Sequence, residues 1–387
     1  MKSLTLNDIN NFLLYKQHLT ELTRTQNLIE LVKDIAGLHA TIPMTPYLSL
    51  FARSDGFTKE LLDEELYVKK HLGKIRSIRK TLYIFPQELI PVFHVATKRI
   101  NEKQSKKALE HRGISLGTYQ TISDSILEIL RDKKEDMTAL EIKKALHTKL
   151  NISYILYLMC DQKLIIRSRP RKYFLFKEYF PDLDIASLDE PKAYTQLIQY
   201  YLGAFGPVSE QDIIWWTGLG KTIIQSALTR IQDEVAEVEI LDLDKNLLLL
   251  QSDIDLIEKT SSDLRENIVN LLPALDSYIM GYKERDRYFL SNNHSSFVFD
   301  RTGNATSIIL SDGRIIGVWD VIKDDKPKVK FFLFKEPKDI IRDLIRQKAK
   351  KIGKFIYNTD VLITECDSMI PLNERTAGSF MSPLKEN

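Results

Sequence analysis

Residues 123–176 constrain this chain more than any other stretch, because three helical patterns and a two-strand pattern with a tight basic turn follow one another there. Ser123 precedes Ile126, Leu127, Ile129 and Leu130 at helical spacing. Thr138 and Glu141 have the spacing of a capping box, in which each side chain bonds the other's backbone N–H, and they open a second helix through Leu146. Residues 152–160 read as a third helix. Residues 164–169 and 172–176 read as two strands around Pro170 and Arg171. Three helices followed by a hairpin is the winged-helix topology. Its turn carries Arg167, Arg169, Arg171 and Lys172, cations that can reach phosphates beside a groove holding a recognition helix. A hairpin of this kind also serves as a structural or protein-contact element, and the residues alone leave both readings open.

A chain of 387 residues exceeds the usual single-core range, so two to four packed units are expected. A hydrophobic fraction of 43% with 28% charge is ordinary for a soluble globular protein. No window approaches the roughly 18 uninterrupted apolar residues of a spanning helix, and the N-terminus lacks a signal-peptide core. A cytoplasmic protein without a membrane partner is therefore expected. Cys160 and Cys366 have no metal-ligand spacing around them and read as free reduced thiols. His18, His71, His94, His111, His147 and His294 lack H-x-x-x-H spacing, and no Walker or dinucleotide fingerprint is present. No metal and no cofactor are expected. Net charge is only +2, so the chain is not a polycation, but its basic residues cluster. One group is Arg76, Arg79 and Lys80; a second is Lys98, Arg99, Lys103, Lys106 and Lys107. The hairpin turn is a third, and Lys348, Lys350, Lys351 and Lys354 a fourth. Local patches matter more for nucleic-acid binding than the total, although each run taken alone reads equally as a solvated face.

The helix-helix-helix-hairpin pattern recurs without residue-level repetition. A first copy spans 1–90, a helical connector 91–122, the copy described above 123–180, and a third 190–255. In the first, Asn7 caps a helix with Ile9, Phe12 and Leu13, and Thr25 begins another that continues to Leu38. In the third, helices follow Pro191, Ser209 and Gly220, and the hairpin is acidic through Glu234, Glu237, Glu239, Asp242 and Asp244, so it reads as structural. The adjacent Trp215 and Trp216 read as core anchors of this copy. From about Leu275 the periodicity changes to short β-rich runs at 277–281, 296–299, 306–310, 314–319 and 328–334, with Asp312-Gly313 as a hairpin turn. The expected class is α+β: three tandem winged-helix units followed by a small C-terminal antiparallel β-barrel. The barrel and a Lys- and Ile-rich helix from Pro337 would occupy 270–387, with the last fifteen residues loop-like.

Gly37-Leu38-His39-Ala40-Thr41 is unusual for a simple core helix, since two polar groups lie two positions apart where an apolar pattern runs into Pro43. They can cap terminal carbonyls, or they can do chemistry.

Several segments together resemble the winged-helix DNA glycosylases of the AlkZ and YcaQ type. They are Ile35-Ala-Gly-Leu-His-Ala-Thr41, Tyr47-Leu-Ser-Leu-Phe-Ala-Arg53, Arg79-Lys-Thr-Leu-Tyr-Ile84, Tyr200-Tyr-Leu-Gly-Ala-Phe-Gly-Pro207 with Trp215-Trp216-Thr-Gly218, Leu271-Leu-Pro-Ala-Leu-Asp-Ser-Tyr278 with Gly281 and Arg285, and Gly313-Arg-Ile-Ile-Gly-Val-Trp319. The resemblance implies a DNA-binding channel, removal of alkylated bases and, in some members, unhooking of interstrand crosslinks. The family's catalytic element is Gln-X-Gln or Gln-X-Asp; His39 and Thr41 stand at the matching positions here, so weaker or different activity is expected. An N7- or N3-alkylated purine already carries positive charge and leaves with little acid help. His39 would then hold or deprotonate the attacking water beside an oxocarbenium-like sugar, and Thr41 would orient it by hydrogen bonding. Arg76, Arg79, Lys80, Arg167, Arg169, Arg171 and Lys172 would bind DNA. Asp276 and Arg285 match the family's barrel-edge motif and read as a buried ion pair in preference to a DNA contact. The expected partner is damaged double-stranded DNA, bound by a monomer because no heptad segment is present. A non-catalytic damage sensor or transcriptional regulator on the same scaffold, or a protein-contact module, are the alternatives.

Overall fold

The computed structural model describes residues 3–243, 245–262, 267–285, 294–323, 326–374 and 384–385; Asp244 and most of the C-terminal stretch expected to be loop-like lie outside the described residues. It is a mixed α+β structure in two compact units. One comprises Met1–Thr58, Tyr201–Ile213 and Ile231–Asn387, the other Lys59–Tyr200 and Ile214–Arg230.

The second unit contains the pattern that the sequence spells most clearly. Helix Leu116–Lys133 is followed by a short strand Met137–Thr138, helices Ala139–Ala145 and Ser153–Asp161, and strands Ile165–Arg169 and Lys172–Leu175. The capping box is present: the Glu141 N–H donates to Thr138 Oγ1 at 3.2 Å, and the Thr138 N–H donates to Glu141 Oε2 at 2.7 Å. Met137–Thr138 pairs with Lys172–Leu175, making a three-stranded sheet. Ile126, Leu130, Ile142, Ile155, Leu156, Leu158 and Met159 are fully buried between helices and sheet, each worth about 1.5–3 kcal/mol of transfer free energy. Upstream, antiparallel strands Leu72–Arg76 and Leu82–Pro86 flank the turn Ile78–Lys80, where Arg79 and Lys80 take left-handed φ of 49° and 62°. Helix Ile90–Glu110 packs closely on the strand at Gly73, where a Cβ would come within 2.5 Å of Ile90 Cδ1 and 2.9 Å of Phe180 Cζ and force those side chains to shift. Phe93 of that helix stacks on Phe85 at 3.9 Å and meets Trp216 edge-on at 6.4 Å. Trp216 is the core anchor of the tryptophan pair at 2% exposure; Trp215 is half-buried.

In the first unit, helix Leu6–Lys16 is capped by Thr5, not Asn7, through a Thr5–Asp8 capping box. Strands Val235–Ile240 and Lys245–Leu250 form a hairpin extended in parallel by Ser3–Leu4. Five strands make the main sheet in the order Val269–Leu272, Ile308–Ser311, Arg314–Ile322, Lys328–Leu333 and Leu362–Glu365. Helix Asp339–Tyr357 lays Ile341, Ile345, Ala349 and Ile352 against Val329 and Phe331 of that sheet. The expected antiparallel barrel is corrected here. The last strand pair is parallel, being joined through the helix, and among the described residues no pairing closes the sheet. Two runs expected as strands are short helices, Ser277–Met280 and Ser295–Val298. Asp276 accepts the Tyr278 N–H at 3.0 Å and so caps the first of them, a local bond that overrides the β propensity of the segment.

Candidate functional site

Helix Leu28–Asp34 starts at Asn27, whose side chain accepts the Glu30 N–H at 3.2 Å. It ends because Ala36 and Gly37 take φ of 52° and 95°, which lets the Gly37 N–H reach back to the Val32 carbonyl at 2.8 Å. The chain leaves extended as Leu38–His39. His39 and Thr41 therefore follow a helix exit and do not belong to the helix itself. Burial separates them: His39 is 4% exposed, while Thr41 is open to solvent. The Thr41 N–H donates to His39 Nδ1 at 3.4 Å. That bond uses Nδ1 as an acceptor.

The loop is anchored at both ends to one turn. Ser277 Oγ donates to the Gly37 carbonyl at 2.7 Å, and Thr45 Oγ1 donates to the Ala274 carbonyl at 2.7 Å. That turn is fixed by Asp276. Arg53 Nη2 and Nη1 donate to its two oxygens at 2.7 and 2.9 Å, and Ser49 Oγ adds a third bond at 2.6 Å. Both charged side chains have zero exposure. Arg53 also donates through Nε to the Gln17 carbonyl at 2.9 Å and through Nη1 to the Ser49 carbonyl at 3.0 Å. Arg285, expected to be the partner of Asp276, instead donates to the Gly303 carbonyl at 3.0 Å and stacks on Phe299. The sequence carried one sign of the true pairing: Arg53 lies four positions after Ser49 in an otherwise apolar helix, Thr45–Arg53, on the same side. Between this helix and the main sheet lies a cavity of about 180 Å³, lined by Ile42, Met44, Thr45, Pro273 and Trp319 among others.

The expected DNA-binding cations, all in the second unit, divide by environment. Arg76 has a side chain only 10% exposed, pairs with buried Asp161 at 3.3 Å and lies over the Tyr157 ring at 4.9 Å. Arg167 is half-buried against the rings of Tyr157 and Tyr173. Arg79 is exposed and rests on the face of Trp215 at 4.3 Å, which holds its guanidinium in one orientation. At the hairpin tip, Arg171 is exposed with a left-handed φ of 62°, and Arg169 is 61% exposed with Asp136 at 3.4 Å. Lys80 and Lys172 are half-buried. Lys74 and Lys163, not singled out in the sequence, join Arg76 and Arg167 around one small recess. Strand alternation of Lys74 with Arg76 was a readable signal for the first of them; nothing local announced the second.

The fold is that of solved structure "Streptomyces sahachiroi DNA glycosylase AlkZ", with a TM-score of 0.75 at 17% identity, covering 94% of this chain and 99% of that one. A curated protein from the same species, "Interstrand DNA cross-link repair glycosylase", is 26% identical over 146 residues, which is 37% of this chain and 38% of that protein. The chain belongs to the AlkZ-like DNA glycosylases: the family model described as "DNA glycosylase AlkZ-like" matches residues 32–330. That span contains His39, Thr41, Asp276 and every cation expected to bind DNA.

Proposed function

We propose that this protein is a DNA-repair glycosylase that hydrolyses the N-glycosidic bond of alkylated or crosslinked bases in duplex DNA. The family match over residues 32–330 carries the reading. We read the fold as three tandem winged helices, at 1–90, 123–180 and 190–255, and the protein as a monomer on its DNA. The order of helices and strands from Leu116 to Leu175 supports this for the middle unit. Arg169, Arg171 and Lys172 contact phosphates beside a groove, Arg79 is aimed by Trp215, and Arg76 serves with Arg167.

In the reaction, a cationic alkylpurine leaves without a strong acid, and the protein's task is to place water beside the electron-poor sugar. Exposed Thr41 holds that water through its hydroxyl. His39, whose Nδ1 accepts the Thr41 N–H, orients Thr41 and with it the water. Neither supplies a carboxylate, so the rate enhancement is smaller than an Asp-bearing motif would give. Release of methylated purine from duplex DNA, with Thr41→Ala and His39→Ala beside the wild type, tests these roles. A loss of about 10-fold or more in each is expected, the usual scale for a misplaced reacting group. If the double variant releases base as fast as the wild type, the two residues have no part in the chemistry. If the wild type binds damaged duplex but releases no base, the chain is a damage sensor on this scaffold. The near-complete burial of His39 is the one observation favouring that second reading.

A further inference from the structure

The recess walled by Lys74, Arg76, Lys163 and Arg167 sits in the second unit, apart from the exposed hairpin tip, with Cys160 also in its wall. Among the described residues no carboxylate lines it. The Asp161 carboxylate that pairs with Arg76 is already bonded by Ser105 Oγ at 2.5 Å. Glu102 meets Lys98 and Lys106 at 3.9 and 3.4 Å and, with Asp161, acts on Lys163 from behind the wall, so the cluster is partly but not fully offset by buried carboxylates. Asp63 acts on Lys74 from outside the wall. Arg76 Nη1 and Arg167 Nε are buried without a hydrogen-bond partner among the described residues. Burial and the Arg167 guanidinium push the Lys74 amine below its ordinary range against Asp63, and burial pushes Lys163 down to about 8 against the pull of Asp161 and Glu102. Orphaned guanidinium N–H groups and clustered like charges both cost stability, and an anion relieves both at once. The recess measures about 10 Å³, roughly the size of one water, so it admits one atom and not a whole nucleotide.

We propose that this recess is an oxyanion site that receives one oxygen of a phosphoryl group, the other oxygens remaining on the solvent side. The chemistry is shared by a DNA backbone phosphodiester and free phosphate; the first source rests on the DNA-binding reading above, the site itself does not. The test uses the full chain at constant ionic strength. Thermal melting is followed with increasing inorganic phosphate replacing chloride, in wild type, Lys74→Met, Arg167→Met and a remote control, Lys133→Met. The proposal expects a saturable rise in Tm in the wild type and control that is lost in the two recess variants. Binding of duplex DNA is then measured against salt in the same proteins. A slope shallower by about one unit in the recess variants assigns the site to a backbone phosphate. An unchanged slope with the phosphate effect intact assigns it to the free ion and overturns the DNA source alone. Phosphate shifts that are absent, or equal in all four proteins, overturn the site and leave the recess to water. Arg76 is left unmutated because its pairing with Asp161 belongs to the fold.

Discussion

Replacing Asp276 with Asn changes the shape of the Arg53 site almost not at all, yet it should be among the most damaging single changes in this protein. The carboxylate receives four hydrogen bonds: two from Arg53, one from Ser49 Oγ and one from the Tyr278 N–H. An amide keeps an oxygen for Arg53 Nη2 and Tyr278, but places its NH₂ against Arg53 Nη1. One charge-assisted bond, about 1.5–3 kcal/mol, is lost. The guanidinium, at zero exposure, then lacks a counter-charge. Breaking one side of a buried pair costs about 3–5 kcal/mol in total, against roughly 5–15 kcal/mol for a whole domain. For a unit of this size that corresponds to roughly 6–20 °C in Tm. Trp319 is the only tryptophan of the unit holding the pair and is 2% exposed, so its fluorescence in Trp215→Phe, Trp216→Phe protein follows that unit during urea unfolding. An Arg53→Met, Asp276→Leu double change should cost less than the two single changes summed, because it leaves no orphaned charge. A ΔΔG below about 1 kcal/mol for Asp276→Asn would refute the reasoning. So would a change in the salt slope of DNA binding well below the melting temperature, since a residue acting through Arg53 and the 274–277 turn touches no phosphate.

Two further outcomes follow from charge placement. Arg169→Gln and Arg171→Gln should each make the salt dependence of duplex binding shallower by about one unit without moving Tm, measured by anisotropy titration from 50 to 200 mM salt; steep slopes in both variants would remove the hairpin from the interface. Lys163 predicts a pH effect. Its folded pKa of about 8 lies below the ordinary 10.5, so between those values the unfolded chain binds more protons. Folding stability from this group therefore rises with pH across that window and is most penalised below it. In phosphate-free buffer Lys163→Met should flatten the rise, read from urea midpoints at pH 7.5 to 10; an identical rise in the variant would assign it to other groups.

The middle unit was legible because its signals are local. Thr138 and Glu141 are three residues apart, the helix stripes repeat within one or two turns, and Pro170-Arg171 marks the hairpin. The pairing of Asp276 was not legible, because its partner is 223 positions away and only the folded chain brings the two together. The strand Val269–Leu272 is buried along its whole length, so its sequence lacks the alternation by which strands are recognised. Leu362–Glu365 closes the order of the main sheet only because helix Asp339–Tyr357 returns it beside Lys328–Leu333, a long crossover that turn signals do not report. His39 and Thr41 look equivalent in sequence. The structure buries one and exposes the other because the strand ends at His39 and the chain bends at Thr41, a change of backbone course that no composition argument supplies.

Charge shows the same difference between listing residues and placing them. The run Lys98 to Lys107 looks like a DNA-facing stripe, but Lys98 and Lys106 share Glu102 at 3.9 and 3.4 Å and Arg99 meets Glu190 at 2.6 Å, so much of its field is cancelled locally. Arg76 is tied to Asp161 and its burial makes it costly to expose. Among the described residues of the hairpin tip, Arg171 is the exposed cation without a paired carboxylate, whereas Arg169 has Asp136 at 3.4 Å. A protein with net charge of only +2 can bind a polyanion specifically in this way. In the proposed reading, cations on the hairpin would fix the register of a DNA backbone, while a net charge near zero keeps the non-specific attraction of the remaining surface low.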